Sequence, residues 1–130
     1  MEKELQNIVE IAKTIPAVRL AYLFGSRARR DAGDLSDYDF AFYLDEHVSK
    51  KQMFEIKLEL QEKISRALKS DHIDVTILNL TDSPELKYFV IKDGQLLYEQ
   101  EPYRVIVEPR IYDEYFDFRE SLRRYHLTQV

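Results

Sequence analysis

No cysteine occurs among the 130 residues, which excludes disulfides and thiolate metal centres alike. Glycine and proline are also scarce, at 3 and 4, and with 45% hydrophobic residues the composition is that of a folded globular chain rather than a disordered one. No apolar run approaches the roughly 20 residues of a membrane span. The stretch Met1-Glu2-Lys3-Glu4-Leu5 has none of the apolar core of a signal peptide, so a cytoplasmic protein is expected, with no membrane partner. Basic charge is in short supply: a formal net charge of -5 argues against a surface that coats nucleic acid, and no direct nucleic-acid binding is expected. Repeats, low-complexity tracts and flexible linkers are all missing. A chain of this length fits one domain with a real core, here taken as residues 1–130.

What the chain does have is one organising stretch, from Gly25-Ser26 through Arg27, Arg29 and Arg30 to Asp37-Tyr38-Asp39. It begins where the apolar run Ala21-Tyr22-Leu23-Phe24 stops. A Gly-Ser pair lets the backbone approach a ligand and turn its N–H groups outward, because glycine has no side chain in the way. Aspartates at alternate strand positions point to one face. The pattern reads as a phosphate cradle beside a divalent-metal site, with Asp37 and Asp39 as paired oxygen ligands. Guanidinium groups suit phosphate geometry, so Arg27, Arg29 and Arg30 are candidate clamps for a phosphate chain.

Along the chain, Leu5, Ile8, Val9, Ala12 and Ile15 recur at helical spacing and predict a helix over 2–14, closed before Pro16. Val18 to Phe24 predicts a buried strand, and 26–30 a short helical turn. Residues 37–44 predict a strand with Tyr38, Phe40, Phe42 and Leu44 facing a core. Asp37, Asp39, Ala41 and Tyr43 share the other face, expected to be an open groove rather than a second core. Ser49 with Gln52 forms a capping-box pattern ahead of a helix whose buried stripe includes Met53, Ile56, Leu60 and Ile64. A third strand, 73–78, places Asp74 and Thr76 on its polar side. Ser83-Pro84 opens a short helix that stops at Asp93-Gly94, followed by an edge strand at 95–99. Between Pro102 and Pro109 an irregular or extended segment is expected. Ile111, Tyr115, Phe118, Leu122 and Tyr125 then stripe a C-terminal helix over about 110–126, a candidate docking element. The histidines His47, His72 and His126 have no metal-site spacing and read as surface or structural. The order predicts an α/β (α+β) domain with a mixed sheet and helices on one face.

Gly25-Ser26, ten residues, then Asp37-x-Asp39 resembles the nucleotidyltransferase signature of the DNA polymerase β superfamily. Within it, Gly25-Ser26-Arg27-Ala28-Arg29 is similar to the minimal nucleotidyltransferases, small proteins often paired with a HEPN-type ribonuclease toxin. Those carry glycine next, where this chain has Arg30. The resemblance spans residues 1 to about 100. It implies a polymerase-β-type palm and a third carboxylate, Asp74, beside Asp37 and Asp39, as catalytic and metal ligands for two Mg²⁺ ions. Gly25, Ser26, Arg27 and Arg29 would hold ATP. The implied reaction is AMP transfer to a hydroxyl, a tyrosine of a partner HEPN toxin, acting as its antitoxin. Two other readings stand beside it: an antitoxin that neutralises its partner by contact alone, and transfer of a nucleotide to a small molecule.

Overall fold

The computed structural model describes residues 2–29 and 37–125, with backbone only for Glu2, Ser26 and Arg29. Arg30 and His126 lie outside the described residues. Helix α1 (Glu2–Lys13) leads into β1 (Val18–Phe24), a one-turn helix α2 (Ser26–Arg29) and β2 (Tyr38–Leu44). Helix α3 (Lys50–Leu68), β3 (Ile73–Ile77) and a 3-10 turn (Leu78–Leu80) follow. The chain continues through α4 (Pro84–Asp93), β4 (Gln95–Glu99) and α5 (Tyr103–Arg124).

The four strands form one mixed sheet in the order β3-β2-β1-β4. β1 runs antiparallel to both β2 and β4, and β2 runs parallel to β3. A parallel pair needs a crossover, and α3 supplies it. Its start is fixed by the expected capping box: Ser49 Oγ accepts from Gln52 N–H, and the Gln52 side chain accepts from Ser49 N–H. Its end is closed by Lys69 in the left-handed region, φ 51°, donating to Ser65 O.

The main core lies on one side of the sheet. Ile8 and Ala12 of α1 and Met53, Leu60 and Ile64 of α3 pack on Ala21, Leu23, Phe40, Phe42, Leu44, Val75 and Ile77. Alternation places these strand residues on a common face. Val18 joins them despite its even number because a bulge between Val18 and Leu20 shifts the strand's parity.

The opposite face corrects two expectations. Helices cover both sides of the sheet, not one. Leu20, Tyr22 and the fully buried Ala41 pack against Leu78, Val90 of α4, and Val107 and Ile111 of α5. This face therefore carries a second, smaller core. At its Asp39 end this face is left partly exposed, with Asp39 half-buried and Asp37 and Asp74 exposed.

A third correction concerns α5, which starts at Tyr103 and runs through Pro109 without breaking. Proline removes one intrahelical donor, the partner of the carbonyl four residues back. That carbonyl belongs to Val105, whose residue is largely in water. The next carbonyl, of Ile106, accepts a side-chain bond from Arg110 Nε at 3.3 Å. Two ties then hold the helix to the sheet. Tyr22 Oη donates to Glu108 at 2.6 Å, and Arg110 reaches Glu46 at 2.8 Å beside Tyr43. Burial and the Glu108 carboxylate push the Tyr22 phenol well above its ordinary range. Burial and Glu46 do the same to Tyr43.

Candidate active site

The site is assembled at one end of the sheet, where three strands bring together residues far apart in sequence. β1 ends at Phe24, which pairs with Asp39. Gly25 then turns the chain with φ +75°, a conformation that glycine adopts without strain. A Cβ at this position would stand 2.5 Å from Asp39 Oδ2. The positive φ favours glycine here, any Cβ would push the carboxylate aside, and the Gly-Ser turn abuts the acid directly.

Asp39 and Asp74 are register partners in the parallel β2–β3 pair. Both point away from the main core, on the face that α4 and α5 partly cover. Burial first, then the charges of Asp74 and Asp37, raise the Asp39 carboxyl above the usual range. All three acids thus sit close enough to repel, with Asp39 at the centre. Asp37 lies just before β2, and its Oδ1 stands 3.3 Å from His72 Nδ1, both side chains being almost two-thirds exposed. His72 was expected to be a surface or structural residue, and it does lie at the surface. Its position beside the acids has a signal in the sequence: it precedes Asp74 by two residues, so strand alternation puts both on one side.

Among the described residues, no three histidine or acidic side chains are already arranged to hold a metal ion. The donor chemistry nevertheless suits a hard cation. Mg²⁺ typically takes one or two carboxylates and completes its shell with water and substrate phosphates. A cation would offset both the burial and the repulsion that raise Asp39, and Gly25 places no side chain against its Oδ2.

The remaining candidates divide. Ser26 and Arg29 lie in the α2 backbone, immediately after the Gly25 turn. Arg27 has its guanidinium 3.9 Å from the Tyr38 ring centroid, with Nη1 3.2 Å from Tyr38 Oη. The Tyr38 ring belongs to the main-core side, opposite the face of Asp39 and Asp74. A separate concavity of about 360 Å³, lined by Tyr43, Asn79, Lys87, Arg110, Ile111 and Glu114 among others, contains none of the candidate site residues. It lies four residues further along β2, roughly 13 Å from Asp39.

Residues 6–103 match the family described as polymerase beta, nucleotidyltransferase. The chain is 36% identical over 114 residues to the protein adenylyltransferase MntA of Aphanizomenon flos-aquae (strain 2012/KM1/D3), covering 77% of this chain and 74% of that one. Its fold resembles a chain of a toxin–antitoxin crystal structure with AMP-PNP, at TM-score 0.74 and 22% identity over 95% of this chain and 94% of that one. It also resembles a chain in the structure of tri-AMPylated Shewanella oneidensis HEPN toxin in complex with MNT antitoxin. There the TM-score is 0.72 and the identity 22%, over 95% and 93% of the two chains. The glycine turn against paired strand carboxylates and the family match over three-quarters of the chain agree: this protein belongs to the polymerase beta nucleotidyltransferase family.

Proposed function

We propose that this protein transfers AMP from ATP to a tyrosine hydroxyl of a HEPN-type toxin and so neutralises it, as an antitoxin in the cytoplasm. The observation that carries the reading is the Gly25 turn set against Asp39, itself in register with Asp74, in a chain 36% identical to a protein adenylyltransferase. Among the described residues no helix is long and apolar enough to cross a membrane.

Each residue has a stated part. The Gly25–Ser26 backbone and the Ser26 hydroxyl are assigned to the β and γ phosphates, and Arg29 is assigned to ATP with them. Asp37, Asp39 and Asp74 hold divalent cations, Mg²⁺ by the oxygen chemistry of the set. The chemistry that a pair of such ions supplies when bound is stabilisation of charge on the attacking and leaving oxygens. The acceptor oxygen bonds to the α phosphorus as the bond to the bridging oxygen breaks, and pyrophosphate leaves. The proton of the acceptor hydroxyl passes to the Asp74 carboxylate. The outer part of α5, with Phe116 half exposed and, like Phe89 of α4, edge-on to Tyr88, is the surface this reading offers to the toxin.

The test is intact-mass spectrometry of a co-purified HEPN partner after incubation with ATP and Mg²⁺. The partner gains one or more whole AMP units, and gains none with the Asp37→Asn/Asp39→Asn double variant. If that double variant silences the partner as well as wild type does, neutralisation works by contact and the catalytic reading of its role fails.

A further inference from the structure

The position of Arg27 does not suit a phosphate clamp. We infer that Arg27 is a positioning residue, part of a strap that locks the Gly25–Ser26 turn to the carboxylate strand through Tyr38. The inference rests on the nucleotide-binding reading above.

Three elements meet at one phenol. Tyr38 stands between Asp37 and Asp39 in sequence, at the start of β2. Its hydroxyl donates to Glu4 of α1 at 3.1 Å. The Arg27 guanidinium covers its ring at 3.9 Å from the centroid and reaches its oxygen at 3.2 Å. Behind it, the ring lies parallel to Phe40 with centroids 6.1 Å apart. Ala28 of α2 packs on the same core as the Tyr38 ring. The strap therefore ties α1, α2 and β2 together on the side of the sheet away from Asp39 and Asp74. The delocalised guanidinium is broad enough to sit over the ring and reach the hydroxyl of the same phenol, which a compact ammonium matches less well.

The geometric consequence is specific. Asp37 and Asp39 flank the strapped residue, and Gly25–Ser26 directly precede the strapping one. Fixing Arg27 to Tyr38 fixes the distance between the groups that bind phosphate and those that bind cations. An in-line transfer depends on that distance, since misplacement by about 1 Å can cost about a hundredfold.

The test is a double-mutant cycle on Arg27→Ala and Tyr38→Leu, read two ways. The first reading is the dissociation constant for ATP with Mg²⁺. Each single variant weakens it by about tenfold, the size of a partly desolvated cation–π contact. The double variant is no more than about threefold weaker than either. Tyr38→Phe, which keeps the ring, loses less than Tyr38→Leu, and Arg27→Lys recovers only part of the Arg27→Ala loss. Multiplicative losses, or loss in Arg27→Ala with ATP binding retained in Tyr38→Leu, would overturn the strap and make Arg27 a direct phosphate ligand. The second reading needs no nucleotide: amide hydrogen exchange over residues 25–29 speeds up equally in both single variants and no further in the double. Unchanged exchange in Tyr38→Leu overturns the strap. Should Tyr38→Leu not fold, the same cycle is run with Tyr38→Phe, where the coupling is smaller but of the same sign, and its absence counts against the strap. A wild-type protein that binds no ATP defeats the enzymatic reading, and the exchange cycle still decides the strap.

Discussion

At the scale of single residues, Asp39 and Gly25 carry the sharpest consequences. Asp39 has a carboxyl raised by burial and by two neighbouring acids. A raised acid opposes folding where it is ionised in both states: the cost is absent below its ordinary range and grows as pH rises through its folded value. Without divalent cations, Asp39→Asn is therefore expected to melt higher than wild type at pH 7, with the gap closing as the solution is acidified below the normal aspartate range. On the proposed reading the same substitution lowers AMP transfer by on the order of a hundredfold or more, since it removes a carboxylate proposed to hold the cation. Melting curves across pH and a transfer assay check both halves. Gly25→Ala faces a Cβ 2.5 Å from Asp39 Oδ2 and a φ of +75°. It should cost about 1–3 kcal/mol in denaturant unfolding through the strained backbone, and it should lower ATP affinity by displacing the acid.

Elements show where sequence patterns speak and where they stop. The capping box at Ser49 was legible from two residues, because a cap is a local bargain between adjacent groups; Ser49→Ala is expected to cost about 1 kcal/mol by urea unfolding. Strand parity was equally legible: it put Asp39 and Asp74 on polar faces before any pairing was known. The start of α5 was not, since Pro102 and Pro109 read locally as breakers. What overrides them is remote, namely burial of Val107 and Ile111 under the sheet and the reach of Tyr22 to Glu108. Ala41 misled for the same reason. A small residue reads as the floor of a groove until α4 and α5, more than forty residues away, are seen to cover it. Lys69 illustrates a different limit, a lysine held at φ 51° at the end of α3. Lys69→Gly should raise stability by a few tenths to about 1 kcal/mol, as glycine enters this region without a Cβ clash.

Over the whole molecule, the two cores are unequal and divide the labour. The larger, between the sheet and α1 with α3, supplies most of the burial; Phe42→Ala, fully buried there, should cost about 3–5 kcal/mol. The smaller one seats α4 and α5, whose contact ends in an aromatic cluster. Tyr88 stacks on Tyr115 at 3.8 Å and meets Tyr112 and Phe116 edge-on. Beyond Phe116 the helix makes, among the described residues, none of the ties to the sheet that hold its first half. On the proposed reading, a Phe89→Ala/Phe116→Ala double variant, both residues being about half exposed, should keep its ATP affinity and melt within a few degrees of wild type, while losing affinity for the HEPN partner. Calorimetry on the two chains, with ATP and then with the partner, separates these outcomes.

The parallel pairing of Asp39 with Asp74 has an implication for how such a chain tolerates change. The 34 residues joining the two acids can lengthen, shorten or be rewritten at the ends of the crossover without disturbing the pair, because only strand phase fixes where the second acid lands. A single insertion between Ile73 and Asp74 does the opposite: it rotates that acid into the hydrocarbon interior and brings a hydrophobic side chain out in its place. The joining segment is thus free in length, and the count of residues inside one five-residue strand decides on which face of the sheet Asp74 emerges.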